Sequence, residues 1–228
     1  HKTDYSVILL AKGRDNIGER TTLTYRGCGY SLSLDDFDFA KMFADHKFDW
    51  AYVTGLAGHF EILDELFREA KKHGVKIAWN PSNLELAHSA KVRALLPDAE
   101  LISVNKEEAQ QIVDGSNSEA LVRNLRNYAP VVIVTDGRNG AVAGDKGSIV
   151  TAGVYDPEIK RVDATGAGDA FASMFVAKYA QGVGLRDAVK WASANSSSVI
   201  SVLGSKPGIL TGHEQLHGMP ISVRPANY

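Results

Sequence analysis

Short runs of branched and aromatic residues alternate along this chain with stretches whose apolar positions recur every three or four residues. Residues 5–11 and 21–25 are rich in Val, Ile, Leu, Thr and Tyr, and the polar link over residues 12–20 carries two glycines, so a β-hairpin is predicted there. A helical pattern follows over 35–45, a strand over 50–54, a helix over 60–73 and a strand over 75–79. Residues 100–104 predict a strand, 106–113 and 118–128 helices, and 131–135 another strand. Short buried strands separated by amphipathic helices cannot close as hairpins; they imply parallel crossovers in an α/β sandwich. After residue 135 the rhythm changes. Residues 140–145 and 147–153 alternate around Lys146-Gly147, predicting an antiparallel meander at a sheet edge. Two proline-free stretches, 167–181 and 185–203, then keep helical spacing, with Phe171, Phe175 and Tyr179 on one stripe.

Composition narrows the function classes. With 44% hydrophobic and 23% charged residues the chain can bury a sizeable core, and no repeat or linker divides it, so one domain is expected over residues 1–228. The formal charge is −2 and no segment gathers Lys and Arg around aromatics, which argues against a nucleic-acid partner. Cys28 is the single cysteine, so an internal disulfide is excluded and a reducing cytoplasm is the expected location. No apolar run reaches the length of a membrane span, and the first residues lack a signal-peptide pattern, so no membrane partner is expected. The chain begins at His1 rather than Met, which suggests a fragment or a processed product.

The strongest chemical signal is Val162-Asp163-Ala164-Thr165-Gly166-Ala167-Gly168-Asp169-Ala170-Phe171, where an extended segment turns into a helix. Small residues let the backbone approach a ligand, and the free N–H groups of a helix's first turn face any anion placed there. An acid at that point makes sense if Asp169 takes a proton from an acceptor hydroxyl while the amides of Gly166, Ala167 and Gly168 hold a transferring phosphoryl group. The same four residues also fit a plain first-turn acid favoured by the helix dipole. The longer pattern separates these readings. It resembles the second signature of the ribokinase (PfkB) family, Asp and Thr followed by Gly-Ala-Gly-Asp and then an aromatic, with Thr165 one place later than in the commonest form. Three further segments stand in the family's order: Asn105-Lys106-Glu107-Glu108, resembling Asn-x-x-Glu; Thr135-Asp136-Gly137-Arg138-Asn139-Gly140, resembling Thr-x-Gly-x-x-Gly; and Ala192-Ser193-Ala194-Asn195 with the loop 204–209. Asn80-Pro81-Ser82 resembles the family's Asn-Pro turn. Upstream, Ser6 to Leu10, Gly18-Glu19-Arg20-Thr21 and Tyr25-Arg26-Gly27 look like the middle of a family member.

The resemblance implies a ribokinase-like three-layer α/β/α sandwich with a mainly parallel central sheet, its N-terminal part and lid incomplete, and residues 5–27 as lid or edge strands. It implies ATP as phosphoryl donor, bound near Asn80, Asn105, Glu108, Thr135, Gly137, Gly140 and Asn195. Mg²⁺ would be held through water by Glu108, and a monovalent cation such as K⁺ by Asp163 and Thr165, although Asp163 can equally hydrogen-bond its own turn. The expected activity is phosphoryl transfer to a sugar hydroxyl, with a nucleoside kinase or a non-catalytic nucleotide-binding fragment as alternatives; a second copy meeting it through the lid is an expected partner. The family's opening strand and its Gly-Gly signature over the sugar have no counterpart before Tyr5, so the chain by itself is expected to phosphorylate sugars poorly.

Three other patterns compete. His213-Glu214-Gln215-Leu216-His217 matches the zinc-protease pattern, but Gly212 and Gly218-Met219-Pro220 disfavour the helix it needs. The run from Gly166 to Phe171 misses the third glycine of the dinucleotide fingerprint. Residues 13–19 carry Glu where a P-loop needs Lys.

Overall fold

The computed structural model describes residues 2–10 and 20–226. The link expected over residues 12–20, apart from Arg20, and the P-loop-like run at 13–19 lie outside them. Strands β1 (Tyr5–Leu10) and β2 (Arg20–Tyr25) pair antiparallel, Tyr5 opposite Tyr25 and Leu9 opposite Thr21, as a two-stranded sheet of their own. Alternation puts Tyr5, Val7, Leu9, Leu23 and Tyr25 on one face, and every one of these side chains is at least 43% exposed. Asp4 fastens the base of this ribbon, its Oδ1 accepting the amides of Gly27 (2.8 Å) and Gly29 (3.1 Å).

The predicted helix over 35–45 is shorter than its pattern. A 3₁₀ turn at Leu34–Asp36 is closed by a capping box between Ser33 and Asp36, and Asp38 then caps a separate helix, α1 (Phe39–Asp45), by accepting the Lys41 amide. Two capping residues so close together each start their own turn. The remaining elements are β3 (Trp50–Val53), α2 (Phe60–Lys72), β4 (Lys76–Trp79), α3 (Asn83–Leu86), α4 (Ser89–Leu95), β5 (Leu101–Asn105), α5 (Lys106–Ile112), α6 (Ser118–Leu125), β6 (Val131–Thr135), β7 (Ala141–Gly144), β8 (Ser148–Ala152), α7 (Ala167–Ala180), α8 (Leu185–Ile200) and β9 (Ile221–Pro225).

Strands β3 to β9 form one sheet in sequence order. The pairings from β3 to β6 are parallel and those from β6 to β9 antiparallel, so the expected meander is present and extends one strand further than predicted. Helices cover both faces, which is why β5 and β6 read as continuous apolar runs. Ile77, Trp79, Ile102, Val104, Val132 and Val134 point into the layer containing α2, α4, α5 and α6. Ala78, Leu101, Val131, Ile133, Ala141 and Ala143 point towards α7 and α8, where small side chains let those helices lie close to the sheet. Trp79 is fully buried edge-on to Phe67, with ring centroids 5.4 Å apart. Among the described residues no helix is long and apolar enough to cross a membrane.

Candidate active site

The parallel strands all end at one edge of the sheet, and the helix start of the longest motif lies at that edge. Gly166 is the N-cap of α7 in the left-handed conformation (φ +79°), and a Cβ there would stand 2.8 Å from the Ser205 Cβ; a side chain is excluded by both backbone and neighbour. The first i→i−4 bond of α7 runs from the Ala170 amide to the Gly166 carbonyl (2.8 Å), so the amides of Gly168 and Asp169 precede the helix's own bonding; the predicted Ala167 amide is not free with them, because it donates to the Ala164 carbonyl (3.3 Å). Gly168 faces open space and Asp169 is exposed. Anion-facing amides and an accessible carboxylate therefore share one turn.

Behind that turn Asp163 is only 7% exposed. Its Oδ1 accepts the Thr165 amide (2.9 Å) and its Oδ2 the Gly204 amide (3.1 Å), tying the approach to α7 to the loop after α8. The Thr165 hydroxyl beside it is buried without a partner. An orphaned hydroxyl oxygen next to a buried carboxylate is a donor set that fits a monovalent cation, although Asp163 also has the bland role of bonding its own turn. Asn195 requires a correction. It does not line the site: it is 1% exposed, donates to the Ala170 carbonyl (2.8 Å) and accepts the Leu210 amide (2.8 Å), so its amide is spent holding α8, α7 and the following loop together.

The strand ends supply a polar rim. Asn105 caps α5 by accepting the Glu108 amide, and Glu108 Oε2 accepts the Asn105 amide in return, both at 2.8 Å. Asn80 donates to the Ser103 carbonyl between β4 and β5 (2.6 Å). Burial pushes the Glu108 carboxyl above its ordinary range against the lowering effect of the Asn105 bond, and the negative charges of Glu107 and Asp169 push it further. Glu108 Oε1 stays outside the cap, and a free carboxylate oxygen of this kind fits a hydrated divalent cation held through water; among the described residues no cluster of three or more His, Cys, Asp or Glu could hold a metal directly. Tyr52, on β3, was not singled out in the sequence. Its hydroxyl is buried without a partner, and burial, then the charge of Asp169, push it up to about 12.

Beside the α7 turn lies a cavity. One wall is Thr135, Gly137 and Gly140 from the turn after β6; another is Gly153, Val154, Tyr155 and Arg161; the floor is Ala164, Ala167, Gly168 and Phe171; and α8 closes it with Ser193, Ser196, Ser197 and Ile200. Gly140 is required here, because at φ +86° a Cβ would run into the Ala152 carbonyl. Lys106 holds this turn against the start of α5 through Asp136 (3.0 Å). Three predicted residues, Thr135, Gly137 and Gly140, line the cavity together with Ala167 and Gly168. Asn80, Asn105 and Glu108 belong to the rim instead. Ser193, Ser196 and Ser197 repeat at helical spacing in the C-terminal half of α8, and that small polar stripe was the legible sign of a ligand-facing surface.

A profile described as pfkB family carbohydrate kinase matches residues 7–211. The chain belongs to this family. It is 27% identical over 162 residues to a ribokinase from Schizosaccharomyces pombe, covering 65% of this chain and 48% of the relative. Over 216 residues it is 25% identical to an ATP-dependent 6-phosphofructokinase from Thermoanaerobacterium thermosaccharolyticum, covering 90% of this chain and 65% of the relative. The chain thus spans between about half and two thirds of the length of these relatives. A solved adenosine kinase from Sinorhizobium meliloti superposes with a TM-score of 0.77 at 23% identity, over 90% of this chain and 63% of that one, a likeness of fold. The sandwich implied by the sequence resemblance is the one observed. Kinases of the pfkB family are phosphotransferases, and the signature-bearing turn of this member begins α7.

The zinc-protease pattern takes no helical form. Residues 211–220 run as an irregular strap over α7 and α8, with the Gly212 carbonyl accepting from Lys178 (2.7 Å) and the Leu216 carbonyl from Lys190 (3.3 Å), so the two imidazoles do not share a helix face. Glu214 is tied to the Thr211 and Gly212 amides, which lower its carboxyl to about 2.

Proposed function

We propose that this chain carries the nucleotide half and the catalytic base of an ATP-dependent carbohydrate kinase, transferring the γ-phosphoryl group of ATP to a sugar hydroxyl. The observation that carries the reading is the turn from Gly166 to Asp169, in which Ala167 and Gly168 line the cavity at the start of α7 and Asp169 is exposed beside them. In this reading Thr135, Gly137 and Gly140 border the nucleotide, and the amides of Gly166 and Gly168 take up charge on the transferring group, while the Ala167 amide is held by the Ala164 carbonyl (3.3 Å). Asp169 accepts the proton of the attacking hydroxyl, whose oxygen forms the new P–O bond as the bond to the ADP oxygen breaks. Mg²⁺, held through water by Glu108 with Asn80 and Asn105 nearby, would neutralise charge between the phosphates. K⁺ beside Asp163 and Thr165 would fix the backbone of the cradle. Asn195 acts only through the position of α8.

The test has two parts. Calorimetry of Mg·ADP with the folded chain should give saturable binding that Gly166→Val removes, and ADP release measured over a panel of sugars and nucleosides identifies the acceptor. A folded chain that binds no Mg·ADP contradicts the reading, and a nucleoside turned over in preference to every sugar moves the acceptor class.

A further inference from the structure

The strap over residues 211–220, whose sequence imitates a zinc site, touches the wall of the cavity at two places. Gly153 and Tyr155 both line the cavity. The Gly153 amide donates to the Pro220 carbonyl (3.2 Å), and the His217 amide donates to the Tyr155 hydroxyl (2.8 Å). The imidazole of His217 also lies on the Tyr155 ring, with centroids 4.1 Å apart and planes inclined by 27°. His217 is exposed and does not itself line the cavity, so its ring backs the tyrosine from outside. The strap is anchored independently of this contact, through Lys178 and Lys190 to α7 and α8 and through Glu214 to its own turn.

A tyrosine side chain turns about two torsions, and here a hydrogen bond holds its far end while a stacked ring covers one face. Its orientation is therefore set before a ligand arrives, and a side chain ordered in advance loses less freedom on binding. Val154, Ala164, Phe171 and Ile200 give the same cavity apolar surface, whereas the amide of Gly168 marks the end suited to phosphate. A flat, weakly polar ring fits the first surroundings and an anion the second. Beyond Tyr155, the His217 imidazole has one further bond, from Nδ1 to the neighbouring Gly218 carbonyl (2.9 Å) at the surface, so it carries no core packing.

We propose that His217 is a positioning residue for the nucleotide: from the strap it fixes Tyr155 as the aromatic wall against which the flat base packs. The proposal rests on the nucleotide reading of the cavity and adds to it a segment far along the chain that tunes the fit of the base. The strap acts on binding through Tyr155 and takes no part in proton transfer at Asp169.

The experiment is calorimetry of Mg·ADP with the wild-type chain, His217→Ala, His217→Phe, Tyr155→Ala and the double variant carrying both alanines. Tyr155→Ala should weaken ADP about ten-fold, the scale of a lost aromatic platform under a base. His217→Ala should weaken it about five-fold, while the thermal midpoint of the nucleotide-free chain stays within about 2 °C of wild type. His217→Phe keeps a ring behind Tyr155 but not the bond to Gly218, and should bind ADP within about two-fold of wild type. In the Tyr155→Ala background, His217→Ala should weaken ADP by less than about two-fold more, because it acts only through the ring already removed. A merely structural role would let the two losses multiply and would gain nothing from Phe. Unchanged ADP affinity in His217→Ala, multiplying losses in the double variant, no recovery with Phe, or a loss of affinity that follows a fallen midpoint overturns the positioning role and leaves the nucleotide reading standing. A folded wild-type chain that binds no Mg·ADP overturns that reading and this proposal with it.

Discussion

The two sides of the α7 turn are built to different degrees. On the cavity side, most polar groups are locked before any ligand arrives: Asp163 holds two amides, Asn195 bridges two elements and Lys106 pins the turn at Asp136, with the Thr165 hydroxyl the exception. On the β3 side the groups are left open. Tyr52 buries a hydroxyl without a partner, β3 is an edge strand, and the β1–β2 ribbon exposes an apolar face. An unmade buried hydrogen bond costs about 1–3 kcal/mol, so the contrast separates the groups that already hold the fold together from the Tyr52 hydroxyl, which does not.

The contrast breaks most severely at Gly166. Gly166→Val should destabilise the chain by about 3 kcal/mol or more, combining a left-handed non-glycine residue with the Ser205 contact, and denaturant unfolding measures it; a stability near wild type would mean that the cavity side is not rigid. Asn195→Ala comes next, at about 2 kcal/mol, since it leaves the Leu210 amide unpaired. The folded fraction should still bind Mg·ADP within about three-fold, well under the ten-fold of a lost contact; a large affinity loss with unchanged stability would return Asn195 to the list of nucleotide contacts. Tyr52→Phe should act in the opposite sense, leaving stability equal or raising it by up to about 1 kcal/mol, because it removes an unsatisfied hydroxyl. A clear loss of stability would show that the hydroxyl already has a partner.

The same hydroxyl also gives an effect of pH. The folded Tyr52 hydroxyl titrates at about 12 against an ordinary 10.0. Between those values the native state keeps a proton that the unfolded chain has released, so stability falls as pH rises through that window. Comparing wild type with Tyr52→Phe in urea at pH 9 and pH 11 isolates the contribution, and identical pH slopes in the two proteins would dismiss it.

Much of this was legible in the sequence. Strands β3 to β8 and helices α2 and α5 to α8 follow from periodicity, since each is long enough or apolar enough to declare itself, and the α7 turn was readable because it needs small residues at successive positions. The failures are local or distant. Helices α3 and α4 are short and separated by Ala87-His88, too brief for a period to emerge, and α3 starts on a capping box in which Ser82 bonds Glu85. Strand β9 is largely exposed and ends in Arg224-Pro225, so it carries little apolar signal; its place is set by pairing with β8. Asn195 was misjudged because the Leu210 amide that occupies it comes from a loop fifteen residues on.

The central claim is that Asp169 removes the acceptor's proton while the cavity holds the nucleotide independently. The most direct measurement is the rate of γ-phosphoryl transfer from saturating Mg·ATP to the best acceptor of the panel, compared between wild type and Asp169→Asn. The account expects transfer to slow by about 10²–10⁴-fold while the Kd for Mg·ADP stays within about two-fold, far less than one lost charged contact. Equal transfer rates in the two proteins would contradict it.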